Sequence, residues 1–402
     1  MFHFLYEIER GNKMIKGTEL FVKALKAEGV DTLFAYPGGQ AVDLFDALYD
    51  EHEIEMILPR HEQALIHAAD GYARSTGKVG VRLVTSGPGA TNLVTGIATA
   101  NYDSVPLVCF TGQVPLGLMG NDAFQEVDIV GITRNICKYA VTVRKREDLG
   151  RIIKEAFYIA RTGRPGPVVV DLPKDIQVAM GDEEYPEEVN IRGYKPNESV
   201  HVGQVKKAVS LLKKAKKPFF LLGGGVNISG ANEDMKKLVE LTGAPVITTI
   251  MGKGAIPTSH PLYMGNIGIH GSYAANHAVS ECDVLFSIGT RFNDRITGKI
   301  SEFAKNAKII HIDIDSASIS KNIVVDVPIV ADAKLAIRKI LEYAAPLKIE
   351  SWVERLKEWK ETYPITMERY EGLTPEKIIK YIAENYKRPI VATDVGQNPL
   401  WT

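Results

Sequence analysis

Glu62 lies in "ILPRHEQALIHAADGYARSTG", residues 57–77, a stretch that combines an ionisable group with a strong local pattern. Ala64, Leu65, Ala68, Ala69 and Tyr72 recur at helical spacing, and Gly77 stands where a helix stops. The carboxyl group therefore falls in a first turn, where the helix dipole favours an anion. Taken alone, that position favours a dipole-stabilising acid over a catalytic one, so other residues must decide.

Four glycine-bearing loops follow predicted strands: "YPGGQ" (36–40), "TSGPGATN" (85–92), "LGGGVN" (222–227) and "SIGTRFNDR" (287–295). Open parallel sheets bind ligands at such places, where backbone amides approach an anionic or planar group closely. A single loop of this kind is a common turn; four in register point to a ligand. None fits G-x-G-x-x-G with an acid about 20 residues on, and no G-x-x-x-x-G-K-[ST] is present, which disfavours ordinary dinucleotide dehydrogenases and nucleotidases. In "HIDID", Asp313 and Asp315 stand at a predicted strand end, as ribose-binding acids or as a solvated terminus. His61 and His270 lack partners at metal-ligand spacing and read as orienting or packing residues.

These residues need a scaffold. From Thr18 onward helices alternate with short β-branched runs, the βαβ rhythm of a parallel sheet covered on both faces. The acidic, aperiodic "AMGDEEYPEEVNIRGYKPNESV" reads as a linker after a first doubly wound domain, residues 14–180. A second α/β domain covers 195–345. A helical connector with two of the three tryptophans follows, and "RPIVATDVGQNPLWT" starts a third unit over 373–402, its first strand barely complete.

The composition is that of a globular α/β protein, with 45% hydrophobic and 24% charged residues. A formal net charge of -1 and no basic run longer than "KKAKK" give no footprint for nucleic acid or an anionic membrane. Three scattered cysteines make a disulfide framework improbable and suggest a reducing cytoplasm. The window of about 20 apolar residues that a membrane span needs is absent.

The runs "FAYPGG", "RHEQALIHAADGYARSTG", "TSGPGATNLVTGIATA", "GNDAFQEVDIVGITR", "TGRPGPVVVDLPKDIQ", "GTRFNDRITG" and "IIHIDIDSASISKN" together resemble the thiamine diphosphate enzymes, specifically the large catalytic subunit of acetolactate (acetohydroxyacid) synthase. The resemblance covers residues 17–402 in order. It implies that Glu62 hydrogen-bonds N1′ of the cofactor's aminopyrimidine, favouring the tautomer that removes the thiazolium proton, and that Gln125 approaches the reacting carbon. Tyr36, Pro37, Gly38 and Gly39 then line the cofactor, Thr85, Pro88 and Asn92 touch its pyrimidine, and Phe124 and Lys174 stand at the mouth of the substrate channel. A structural FAD is implied in the middle domain at Arg164, Gly223, Gly224, Gly225, Thr249, His270, Gly271, Arg291, Arg295, Asp313 and Asp332. Gly396 and Gln397 approach the diphosphate.

Gln40, Asn293 and Asn398 replace a small residue, an acid and a histidine usual in that family. The resemblance also implies that the Mg²⁺ and diphosphate ligands, in a G-D-G motif, belong beyond Thr402, so no metal ligand is expected in this sequence. The implied reaction condenses pyruvate with pyruvate or 2-oxobutyrate in branched-chain amino-acid synthesis, in a homodimer or higher oligomer with a small regulatory subunit. Lys174 and "GNDAFQE" favour this over a flavin-bearing relative such as pyruvate oxidase; a non-catalytic truncated paralogue is the remaining reading.

Overall fold

The computed structural model describes residues 13–366, 370–393 and 396. The chain divides after Pro196 into two units. In the first, the strands are β1 (Met14–Lys16), β2 (Thr32–Ala35), β3 (Glu55–Ile57), β4 (Gly80–Val84), β5 (Leu107–Gln113), β6 (Tyr139–Thr142), β7 (Pro167–Pro173) and β8 (Met180–Asp182). Six form a sheet in the order β3-β2-β4-β5-β7-β6, every pairing parallel. β4, β5 and β7 are buried along their whole length, which is why they read as unbroken apolar runs instead of alternating ones.

Helices close both faces. The helix Leu149–Arg161 buries Leu149, Ile152, Ile153, Ala156, Phe157 and Ala160, a stripe at helical period. Its Phe157 ring lies 6.5 Å from that of Phe110 on β5, and Phe21 meets Phe110 edge-on at 4.9 Å. On the other face the helix Glu62–Thr76 turns Leu65, Ile66, Ala69 and Ala73 inward and ends at Gly77, whose φ of +72° only glycine adopts cheaply.

The supposed linker after residue 178 differs from its sequence reading. Its first residues form β8, which pairs antiparallel with β1, and the Arg146 guanidinium donates to the Ile15 and Ala179 carbonyls at 3.0 and 3.2 Å. Further along, the Tyr185 hydroxyl donates to Glu28, which pairs with Lys154 and Arg161 at 2.9 Å each. Acidic composition suggested solvation; the buried Arg146 and the Tyr185 hydroxyl bind this segment to the first unit instead.

The second unit has β9 (Pro218–Leu222), β10 (Val246–Thr248), β11 (Tyr263–Asn266), β12 (Val284–Ile288), β13 (Lys308–Asp313) and β14 (Val327–Val330). They form one parallel sheet in the order β11-β10-β9-β12-β13-β14. Packed on it are the helices Val202–Lys214, Asn232–Thr242, Tyr273–Glu281 and Ala333–Leu341. The expected connector is the helix Glu350–Thr362, whose buried Trp352 donates its indole N–H to the Pro218 carbonyl at 3.1 Å. The helix Pro375–Asn385 buries no residue. Residues 389–393, expected as a strand, form none, because none of the described residues offers them a ladder partner.

Candidate functional site

In the first unit the candidate residues converge on the C-terminal ends of β2, β4, β5 and β7, where a parallel sheet leaves its ligand crevice. The Tyr36 N–H donates to the Leu83 carbonyl at 3.0 Å, setting the "YPGG" turn beside β4. A Cβ on Gly38 would stand 2.5 Å from the Thr85 Cβ, so the two loops touch only because this residue is glycine. Gln40 contributes through its backbone: its N–H donates to Thr85 Oγ1 at 3.2 Å and its carbonyl accepts from Gln177 Nε2 at 2.8 Å. Lys174, just after β7, donates to the Gly39 carbonyl at 3.3 Å and pairs with Asp43 at 2.9 Å.

His61 caps its helix, the ring Nδ1 accepting from the Gln63 N–H at 3.1 Å, and this places Glu62 at the helix start. Glu62 is half-buried, and its Oε2 accepts from Asn92 Nδ2 at 2.9 Å. Its Oε1 lies 3.6 Å from where a Cβ on Gly89 would be. The carboxyl is therefore fixed through one oxygen and presents the other to the glycine loop. Gly87, at φ +54°, lets the Gln125 backbone lie against it: a Cβ there would meet the Gln125 carbonyl oxygen at 2.6 Å. Gln125 itself holds φ +58°, a left-handed conformation uncommon for a side chain of this size, and Phe124 beside it is 83% exposed. Glu62 and Gln125 thus lie against one loop, the one that Thr85 opens and Asn92 closes.

Sequence reasoning missed Asp171. It lies within β7, is 1% exposed, and accepts from Thr111 Oγ1 at 2.7 Å, Gln113 Nε2 at 3.1 Å and Thr142 Oγ1 at 3.2 Å. Its signal was an acid inside "VVVDLP", a run otherwise apolar on both faces. Burial pushes its carboxyl up to about 6 from 3.8, against the pull of those three hydrogen bonds. Between these pH values the folded chain holds a proton that the unfolded chain has released. Stability from this group is thus fully present below pH 3.8 and is lost as pH rises to about 6. Relative to an Asp171→Asn variant, wild-type unfolding free energy should fall by on the order of 3 kcal/mol across that window. Chemical denaturation at a series of pH values checks this; parallel curves for the two proteins would contradict it.

In the second unit the candidates occupy the C-terminal ends of all six strands. Gly223 to Gly225 follow β9 and pack against Gly289 after β12: the Gly223 N–H donates to the Ile288 carbonyl at 2.8 Å and the Gly225 N–H to the Gly289 carbonyl at 3.1 Å. Thr249, after β10, caps the following turn by accepting from the Gly252 N–H at 3.1 Å. Gly271 closes the loop after β11 by donating to the Gly268 carbonyl at 2.8 Å; His270 beside it is exposed. The carbonyls of Arg291 and Phe292 are held by Asn322 Nδ2, at 3.1 and 3.0 Å, while the Arg295 side chain is 76% exposed. The Asp313 carboxyl, at the end of β13, accepts from the Asp315 N–H at 2.9 Å, and Asp332, after β14, caps a helix through the Leu335 N–H at 3.0 Å. His311 on β13 is wholly buried with Nε2 against the Thr290 carbonyl at 2.7 Å, and desolvation holds its pKa down at about 4.

Arg164 belongs to the first unit, where its guanidinium donates to Ser104 Oγ at 2.8 Å and the Asn101 carbonyl at 2.9 Å. Gly396 is exposed at φ +149°; Gln397 and Asn398 lie outside the described residues. Among the described residues no group of three His, Cys, Asp or Glu could share a metal ion, and no helix is long and apolar enough to cross a membrane.

Two doubly wound sheets with ligand loops at their strand ends, a first-turn glutamate among them, define a class that the chain's relatives share. Residues 15–132 match the family described as thiamine pyrophosphate enzyme, N-terminal TPP binding domain, and residues 205–340 match its central domain. The chain is 50% identical over 401 residues to the probable acetolactate synthase large subunit of Methanocaldococcus jannaschii, a match spanning 96% of this chain and 68% of that protein. It is 43% identical to the acetolactate synthase isozyme 3 large subunit of Escherichia coli, over 97% of this chain and 70% of that protein. With the acetolactate synthase large subunit of Lactococcus lactis it shares 44% identity, over 97% and 68%. The chain belongs to the acetolactate synthase large-subunit family of thiamine pyrophosphate enzymes.

Proposed function

We propose that the first unit holds the aminopyrimidine of thiamine diphosphate at Glu62 and that the protein makes acetolactate from two molecules of pyruvate, with 2-oxobutyrate as an alternative second substrate. The observation that carries this reading is the Glu62 carboxyl, bound by Asn92 at 2.9 Å through one oxygen and turned with the other toward Gly89. That arrangement fits a planar base: one oxygen orients the group, and the other exchanges a proton with a ring nitrogen. Gly38, Gly87 and Gly89 let Thr85 and the Gln125 backbone draw close around this loop, and Gly39 leaves open the space that a side chain would fill. Bound there, thiamine diphosphate supplies the electron sink for decarboxylation. Gln125 and Lys174 approach the 2-oxoacid, Lys174 as its cationic partner, and Phe124 forms the mouth of the channel.

In the same reading the second unit holds a structural FAD. Its Gly223 to Gly225 and Gly289 loops approach the diphosphate, Asp313 accepts from ribose hydroxyls, and Thr249, Gly271, Arg291, Arg295 and Asp332 complete the rim. Mg²⁺ serves the thiamine diphosphate. The working assembly is a homodimer or larger oligomer with a small regulatory subunit, in the cytoplasm. The test is product analysis of the full-length protein with pyruvate, thiamine diphosphate and Mg²⁺. Acetolactate is expected; acetyl phosphate or peroxide would favour a pyruvate oxidase and overturn the assignment. Flavin released on denaturation, measured by fluorescence, checks the second cofactor separately.

A further inference from the structure

We propose that Gln113 and Asp171 form a buried positioning pair that holds Gln125 in its left-handed conformation at the proposed active site; the inference rests on the reading of Gln125 given above. The pair is unusual in its surroundings. Asp171 is a carboxyl group with three neutral donors around it, Thr111, Gln113 and Thr142, drawn from β5 and β6. What the pair fixes is an orientation.

Gln113, the last residue of β5, uses each of its amide valences. One Nε2 hydrogen goes to Asp171 at 3.1 Å, the other to the Val127 carbonyl at 2.9 Å, and Oε1 accepts from the Val114 N–H at 2.9 Å. The flipped amide would set its oxygen against the Val127 carbonyl and the Asp171 carboxyl and its NH₂ against the Val114 N–H, so Asp171 adds to the set of partners that keeps Nε2 aimed at Val127. Val127 lies two residues beyond Gln125, in a stretch from Gly120 to Asp128 without strand or helix. The upstream side of the same stretch is gathered by Glu126, whose carboxylate accepts from the Gly120 and Ala123 N–H groups. Asp128 caps the next helix through the Gly131 N–H at 2.8 Å. Between these attachments the backbone crosses Gly87 in the sparsely populated region at φ +58°. Such a conformation persists where its surroundings over-determine it, and the bond from Gln113 to Val127 is the attachment that ties the stretch to the sheet.

Two measurements test this. In the first, hydrogen exchange is compared in wild type, Gln113→Met and Asp171→Asn. Exchange over residues 119–128 should accelerate by on the order of tenfold in both variants, with β2 unchanged as the control for folding. Unchanged exchange would overturn the anchoring, whatever the protein's activity. In the second, acetolactate formation by the full-length protein is measured in Gln113→Met, Gln125→Ala and the double variant. Gln113→Met should lower kcat on the order of tenfold, and the double variant should match Gln125→Ala within about twofold, because both changes act through one group. Multiplying losses would overturn the route through Gln125. A fully active Gln125→Ala variant would overturn the functional reading of that residue, and the exchange data alone would then decide whether the anchor exists.

Discussion

In the full-length protein, Glu62→Gln is expected to lower acetolactate formation by about 10²–10⁴-fold, the range that a positioned proton-transfer group contributes. The amide keeps the size of the side chain and its bond to Asn92, whose Nδ2 now reaches Oε2 at 2.9 Å. What it loses is the ability to exchange a proton through the second oxygen. Stability should hardly change, because the group is half-buried and starts a helix already capped by His61. Any flavin bound by the second unit should remain, since Glu62 belongs to the first. The measurements are turnover, thermal midpoint and flavin content of the purified variant. Retention of more than about a tenth of wild-type turnover would remove Glu62 from the proposed proton-transfer role.

Gly223→Ala should be among the most damaging single methyl additions in the second unit. A Cβ there would stand 2.1 Å from the Gly289 carbonyl oxygen and 2.6 Å from its carbon. Both neighbours are backbone, fixed by the hydrogen bonds from Gly223 to Ile288 and from Gly225 to Gly289. β9 and β12 would have to part at their C-terminal ends, at a cost of about 3 kcal/mol, the upper part of the usual range for overpacking. The proposed flavin site would open with them. Gly39→Ala is the useful contrast, since no atom lies within 4 Å of the added methyl, and its midpoint should match wild type. Urea unfolding of the two variants separates crowding from a general intolerance of alanine; equal midpoints would show that the loops after β9 and β12 yield more easily than their packing indicates.

Much of this architecture was legible because parallel strands buried on both faces read as apolar runs, and β9 and β12 are of this kind. The helix Asn232–Thr242 and the Glu62 turn followed from period and stop signals. β6, β1 and β8 were not legible. They are three or four residues long, half-buried or alternating, and their pairing is decided by distant chain. The Asp171 cluster was hidden for a related reason: the acid inside "VVVDLP" stands out, but Thr111 and Thr142 do not, and the three meet only when β6, β7 and β5 are laid side by side. The backbone of Gln125 was equally silent, since no glycine marks its positive φ. At the other end of the chain, local β propensity over 389–393 overstated what a strand can do without neighbours.

Neither six-stranded sheet contains a hairpin, since every pairing in both is parallel. Pro218 pairs opposite Val284 and Leu107 opposite Pro167, so roughly 60 residues of chain must be gathered into a loop before either contact forms. Such topologies fold slowly, on the millisecond-to-second scale, because chain entropy is lost well before the long-range contacts that offset it. During that interval the apolar edges of β9 and β12 are open to any other unfolded chain, and intermolecular pairing competes with closure. During synthesis all strands of the first unit precede the second, which lets the first sheet close while its successor is still emerging. The ordering of the two units along the polypeptide thus sets the order in which two slow, aggregation-exposed steps occur, keeping them from overlapping.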